Sequence, residues 1–296
     1  MIQRARNVLY NGRGRALALQ RRVQSSVYAL RNEVPPLESV IIGVGAQKAG
    51  TTWLSKALRG HPGVYMREKE VHYWDVVRYP YIGWDDMNRA YSLNGASSPF
   101  GQDLLDHSAY LESLTFGRMS ERIVAEITPS YSLCTAETYR QMNAIHPNVK
   151  FIFLMRDPVD RLWSGIRHKL RRTLARNPDF DGLQRLFVEA CSNPHDPDFR
   201  RSRYDETLRS LREAGCNVKV MFFETLFSQS SLDEVAEFVG VERLPGRPDL
   251  KSNEGKAHTE KLSQETAAFG RERLAEVYDF IFAEYGDAVP GKWRRS

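Results

Sequence analysis

Lys48 sits in the loop Gln47-Lys48-Ala49-Gly50-Thr51-Thr52-Trp53, directly after an apolar run from Val40 to Val44. The run reads as a buried strand, and a helix opens at Thr51. Unpaired backbone N–H groups at such a helix start, backed by the positive end of the helix dipole, form a site for a phosphate or sulfate group. In the usual triphosphate loop, G-x-x-x-x-G-K-[ST], the lysine follows the second glycine. Here Lys48 precedes Gly50, so its ammonium enters the anion site from the other side.

A second segment has matching chemistry. The apolar run Val149–Met155 ends in Arg156-Asp157-Pro158, with Ser164 two turns further on. Asp157 suits an N-cap and Pro158 the first helical position. Arg156 and Ser164 could then grip a second phosphate, one with a charged fork and one with a hydroxyl. Two anion sites on two strand-to-helix turns suggest a nucleotide phosphorylated at both ends. Glu70 and His72 add acid–base chemistry. Two positions apart on an extended segment, they share a face, and either could take a proton from an acceptor.

In this order the motifs resemble those of the sulfotransferases that use 3′-phosphoadenosine 5′-phosphosulfate (PAPS). Residues 47–53 are similar to that family's 5′-phosphosulfate loop, and Arg156 through Ser164 to its 3′-phosphate motif. His61-Pro-Gly-Val-Tyr65, Lys69-Glu-Val-His-Tyr-Trp-Asp75, Glu126-Ile-Thr-Pro-Ser-Tyr131 and Glu254-Gly-Lys-Ala-His258 resemble the branch that includes the heparan sulfate sulfotransferases. The resemblance implies a PAPS-dependent enzyme with direct in-line transfer to a hydroxyl or amine. It puts Lys48 at the leaving phosphate, with Gln47, Ala49, Gly50, Thr51 and Thr52 around the 5′-phosphosulfate. It puts Trp53 on the adenine, Tyr204 near the nucleotide, and Gly255-Lys256 in a covering loop. It makes Glu70 the base with His72 beside it; the reverse order stays open. Two positions depart from the pattern. Ile127 stands where some glycosaminoglycan sulfotransferases have lysine, which counts against a polyanionic sugar. Glu254 replaces the usual lysine of the covering loop, leaving Lys256, or Lys251 as substitute, to meet the anion.

A sulfuryl group carries less negative charge than a phosphoryl group, so catalysis must stabilise charge growing on the bridging and leaving oxygens. One lysine and backbone donors suffice for this, and no metal is expected. A P-loop nucleotide kinase is the alternative enzyme; it would need magnesium and a lysine after Gly50, where Thr51 stands. A non-catalytic membrane- or partner-binding protein retaining the nucleotide fold is a third reading.

The chain of 296 residues, 42% hydrophobic and 27% charged, suits one soluble α/β domain. We expect a P-loop-like parallel sheet flanked by helices, the sulfotransferase fold, over residues 38–290, after a basic helical arm over 1–37. The arm holds seven arginines against one acid, a net +6 of the chain's total +5, so the rest is near neutral. That argues against a nucleic-acid-binding core. Val8, Leu9, Leu17, Leu19, Val23, Val27 and Leu30 give the arm an apolar side. It could pack on its own domain, the favoured expectation, or touch an anionic membrane. No apolar run reaches spanning length, and three widely spaced cysteines fit a reduced compartment, so a cytoplasmic enzyme is expected, membrane-peripheral only under the second reading of the arm. The acceptor is expected to be a small molecule, glycan or lipid.

Strands are expected over 39–45, 63–66, 122–127, 149–155 and 217–223. Helices are expected over 51–60, 135–145, 157–175, 199–214, 231–239 and 260–285, with short helices and acceptor loops in 76–120. Tyr73, Trp74, Tyr79, Tyr81 and Trp84 serve either the core or an acceptor pocket.

Overall fold

The computed structural model describes residues 23–30, 33–78, 107–173, 180–245 and 261–294. Five strands form one parallel sheet: β1 (Ser39–Gly45), β2 (Val64–Tyr65), β3 (Ile123–Ile127), β4 (Val149–Met155) and β5 (Asn217–Phe222). Their order is β2-β3-β1-β4-β5. All five lie where the apolar runs place them. β1 is buried along its whole length because it has a strand on each side and helices on both faces. β5, at the edge, is exposed at its start.

The chain fills one side of β1 with β2 and β3, then crosses to β4 and β5 on the other. This reversal makes the carboxyl ends of β1 and β4 a topological switch point, where open α/β sheets place their ligands. Close contact between β1 and β3 depends on Gly43. A Cβ there would lie 2.7 Å from Ile127 Cγ2, so glycine makes room for the Ile127 side chain.

The helical segment α1, over residues 23–30, precedes the sheet. Val23, Val27 and Leu30 are 55%, 41% and 86% exposed, so these three apolar side chains are not covered by the domain. Helix α2 (Thr51–Arg59) follows β1, and α3 (Tyr73–Arg78) and α4 (Ser108–Thr115) come before β3. Tyr79, Tyr81 and Trp84 lie outside the described residues. Tyr73 and Trp74 are buried and pack on Tyr110 and His107, which makes them core.

Beyond β3, α5 (Ala136–Ala144) and α6 (Pro158–Thr173) match expectation. Helix α7 (Phe180–Ser192) was not expected, although Leu183, Phe187 and Cys191 form its buried stripe at helical spacing. The expected helix over 199–214 divides into α8 (Pro197–Arg200) and α9 (Tyr204–Glu213). Tertiary bonds hold the break: Ser202 Oγ donates to Pro158 O at 3.0 Å and accepts from Arg161 Nε at 2.9 Å. After α10 (Gln229–Val239), the helix expected over 260–285 divides at Leu274 into α11 (Gln264–Arg273) and α12 (Ala275–Tyr285). Leu274 is fully buried at that break. Helix α11 closes on α7 at Gly270, where an added Cβ would meet Phe187 at 2.6 Å.

Candidate active site

The loop after β1 is shaped by backbone conformation. Gly50 N-caps α2 at φ 98, and Lys48 also adopts a left-handed φ of 72. No side chain caps the helix and no acidic residue lies in its first turn. The N–H groups at this helix start are therefore left for an anion, with no carboxylate to repel it. Gly50 is sterically required, because a Cβ would come within 2.5 Å of Leu226 Cδ2. Lys48, Gln47 and Thr52 are half-buried, whereas Ala49 and Thr51 are buried.

The turn after β4 is on the neighbouring strand. Asp157 caps α6 as expected, with Oδ1 accepting from Val159 N at 3.1 Å and Asp160 N at 3.0 Å. Its carboxylate also accepts from Tyr278 Oη, and its N–H donates to Glu224 Oε1 at 3.0 Å. Arg156 is thus fixed by its neighbour and stacks over Phe223 at 4.8 Å. Its Nε is buried with no hydrogen-bond partner, and Asp160 is 3.9 Å from Nη2. Ser164, two turns into α6, is buried.

Tyr204 stands behind this turn. It is fully buried, and its hydroxyl donates to Arg156 O at 2.8 Å. Trp53 is also buried and meets Phe227 edge-on at 6.1 Å; Phe227 in turn packs on Phe223. The segment 223–227 after β5 thus touches both anion turns, a link that no local spacing indicates. Glu254, Gly255, Lys256 and Lys251 lie outside the described residues.

The strap 69–72 runs past the carboxyl end of β3, on the other neighbour of β1. Ile127 N donates to Lys69 O at 2.6 Å, and Thr128 N donates to Gly43 O at 2.9 Å. Adjacent strands are about 4.8 Å apart, so the strap and the two anion turns occupy three consecutive strand ends. Glu70 and His72 come together, but not on an extended face. His72 has φ 56, and its Nε2 lies 3.4 Å from Glu70 Oε2. The other ring nitrogen, Nδ1, donates to Asp75 Oδ2 at 2.8 Å. Ser130 Oγ donates to the same Asp75 oxygen, and Lys69 Nζ donates to Glu70 Oε1 at 2.6 Å. Asp75 and Ser130 carry no local sequence signal for this role.

Charge in this array alternates: lysine, glutamate, histidine, aspartate. Burial alone would lower the His72 pKa, but hydrogen bonds to Asp75 and Glu70 and their charges raise it to about 10. Burial would raise Glu70, but the His72 hydrogen bond and the Lys69 charge lower it to about 2. At neutral pH His72 is therefore an imidazolium and Glu70 a carboxylate. Only Glu70 of the two can accept a proton in this state.

The family model described as "Sulfotransferase family" matches residues 40–192, more than half of the sequence, and the chain belongs to that family. Over 149 residues it is 28% identical to mouse heparan sulfate glucosamine 3-O-sulfotransferase 3B1. Over 130 residues it is 30% identical to human heparan sulfate glucosamine 3-O-sulfotransferase 6. These alignments cover 50% and 44% of this chain and 30% of each relative's length. The crystal structure of a sulfotransferase from Alicyclobacillus acidocaldarius matches with a TM-score of 0.58 at 20% identity, over 88% of this chain and 100% of that one. The fold is that of sulfotransferases.

Proposed function

We propose that this protein transfers a sulfuryl group from PAPS to a hydroxyl or amine acceptor. The observation that carries this reading is the placement of an ionised Glu70, held by Lys69 and by a His72 that Asp75 backs, one strand from an uncapped helix start bearing Lys48. PAPS would supply an activated sulfuryl group on a phosphate leaving group. The residues present fit it: the Gly50 helix start and Lys48 suit its 5′ end, and the orphaned Arg156 Nε and buried Ser164 suit a 3′-phosphate. Lys48 would stabilise charge on the leaving oxygen. Glu70 would receive the acceptor's proton. A carboxylate held near pKa 2 is a weak base, so an acceptor hydroxyl must take the place of Lys69 on Oε1, which raises the basicity of Glu70 as it binds.

The acceptor we favour is not a polyanionic glycan, although the two relatives named above are heparan sulfate enzymes. Ile127 is fully buried against Gly43 and offers no cation. Calorimetry with adenosine 3′,5′-bisphosphate and AMP tests the donor; equal affinities would remove the case for a 3′-phosphate site. Transfer of label from PAPS to an acceptor panel in EDTA tests the reaction, and a strict magnesium requirement would favour the kinase alternative.

The arm adds peripheral contact with anionic lipid to this proposal. Of six large apolar residues exposed among the described residues, Val23, Val27, Leu30 and Val34 fall in this one segment, beside seven arginines in the sequence. Among the described residues no helix is long and apolar enough to cross a membrane. Sedimentation with phosphatidylglycerol vesicles should fall in high salt and be lost in a 1–34 deletion. Full-length protein that ignores such vesicles would refute the contact.

A further inference from the structure

His72 carries a Cβ yet holds φ 56. Such a conformation persists where the surroundings over-determine it, and it occurs often at working sites. The surroundings here are the residues that follow β3. Val71 N donates to Thr128 Oγ1 at 3.0 Å, and His72 N points to the same oxygen at 3.4 Å. Tyr73 N donates to Tyr131 Oη at 3.0 Å. With Ile127 N on Lys69 O, every turn of the strap is tied to residues 127–131.

Thr128 can accept from the strap because its own proton goes elsewhere. Its hydroxyl donates to Glu126 Oε2 at 2.6 Å, while Tyr110 Oη donates to Oε1 at 2.5 Å. Val71 N also reaches Glu126 Oε2 at 3.3 Å. Glu126 is completely buried in a central strand, and none of these partners is a cation. A buried carboxyl is costly where an apolar side chain would pack as well. Its Oε2 serves the strap and the Thr128 that holds it, while Tyr110 occupies Oε1.

We propose that Thr128, oriented by Glu126, is the positioning residue that holds the left-handed turn at His72 and so assembles Glu70, His72 and Asp75 for proton transfer. The inference rests on the sulfotransferase reading for its purpose, but its geometry can be tested without a donor or acceptor. Neither residue touches the reacting atoms; both act through the backbone of Val71 and His72. Among the described residues, the charged groups on the His72 ring nitrogens are Glu70 and Asp75, with Lys69 behind Glu70 and Ser130 on Asp75.

The test uses full-length protein and follows the His72 imidazole by NMR titration, its signals assigned by their loss in a His72→Asn variant. In the parent protein His72 should keep its proton to about pH 10. Thr128→Val preserves shape but cannot relay the hydrogen bond. It should bring the midpoint down toward about 6.5, the free-histidine value, with affinity for adenosine 3′,5′-bisphosphate changed by less than about twofold. Thr128→Ser should restore the parent titration, which a purely structural loss would not predict. A Thr128→Val protein that titrates like the parent, or a serine variant that fails to rescue, overturns the inference. Should Thr128→Val not fold, Glu126→Gln is measured the same way: a lowered midpoint supports the proposal and an unmoved one overturns it. A parent protein that never binds the bisphosphate would sink the sulfotransferase reading alone, because the titration reads the strap directly.

Discussion

The turns after β1 and β4 and the strap at the end of β3 are built from different materials. Each anion turn is local. Lys48, Gly50 and the start of α2 lie within a few residues, as do Arg156, Asp157 and the start of α6. Their donors are mostly backbone or permanently charged. The strap is assembled from a distance: Val71 meets Thr128 across 57 residues, and Ser130 meets Asp75 across 55. Its groups are titratable and carry alternating charge. A fixed anion site can be written into one strand-to-helix turn. A proton-handling site must hold opposed charges close together, and that takes a second segment to fix the geometry.

The sharpest way to break this comparison is to remove one charge from each side. Glu70→Gln keeps size but cannot accept a proton. It should lower turnover by about 10²–10⁴-fold and leave adenosine 3′,5′-bisphosphate binding intact. Lys48→Ala should lower transfer to every acceptor by about 10²–10³-fold, since the leaving group is common to all. Normal turnover by Glu70→Gln would mean that the strap does not handle the proton.

Next in size is the discrimination between two nucleotides. Arg156→Ala removes a charged fork worth about 1.5–3 kcal/mol, so the bisphosphate should bind roughly ten- to a hundredfold more weakly while AMP is unaffected. Ser164→Ala should do the same to a smaller degree. Parallel losses for both nucleotides would place Arg156 at the shared 5′ end and undo the assignment of the two turns.

This contrast also explains how much was legible in the sequence. The five strands and the two strand-to-helix turns after β1 and β4 are legible because contiguous apolar runs and caps are local signals; Asp157 as an N-cap is the clearest case. Glu70 and His72 were found, but alternation placed them on one extended face. The structure joins them through a left-handed turn tied to Thr128 and Tyr131, far along the chain. Asp75 and Ser130 gave no local sign of their partnership, because the fold brings them together from two segments. The division of the last long helix at Leu274 was hidden for a related reason: a buried leucine carries no stop signal. Helix α7, by contrast, has a local signal in the spacing of Leu183, Phe187 and Cys191.

Gly50→Ala probes the anion turn without touching a charge. The new methyl would meet Leu226 at 2.5 Å in a backbone at φ 98, a combined cost of about 1–3 kcal/mol. Thermal unfolding should occur several degrees lower. Because the helix start itself is displaced, bisphosphate and AMP should weaken together, unlike the Arg156→Ala pattern. A stable variant with unchanged binding would show that the α2 start is not the anion site.

The smallest effect expected is the most discriminating for Tyr204. Phenylalanine at this position keeps the ring packed on Phe153 and Trp293 and removes only the hydroxyl. The lost bond to Arg156 O is neutral and worth about 0.5–1.5 kcal/mol. It leaves the Arg156 carbonyl with one partner fewer behind the turn. If Tyr204 acts only by positioning that turn, Tyr204→Phe should lower stability slightly and weaken the bisphosphate by less than about tenfold, with AMP unchanged. In an Arg156→Ala background the same change should add almost nothing to the binding loss, because the residue it positions is already gone. Calorimetry on the four proteins gives this cycle directly. A full additive loss in the double variant would mean that the Tyr204 hydroxyl reaches the nucleotide itself, and the buried bond to Arg156 O would have to open on binding.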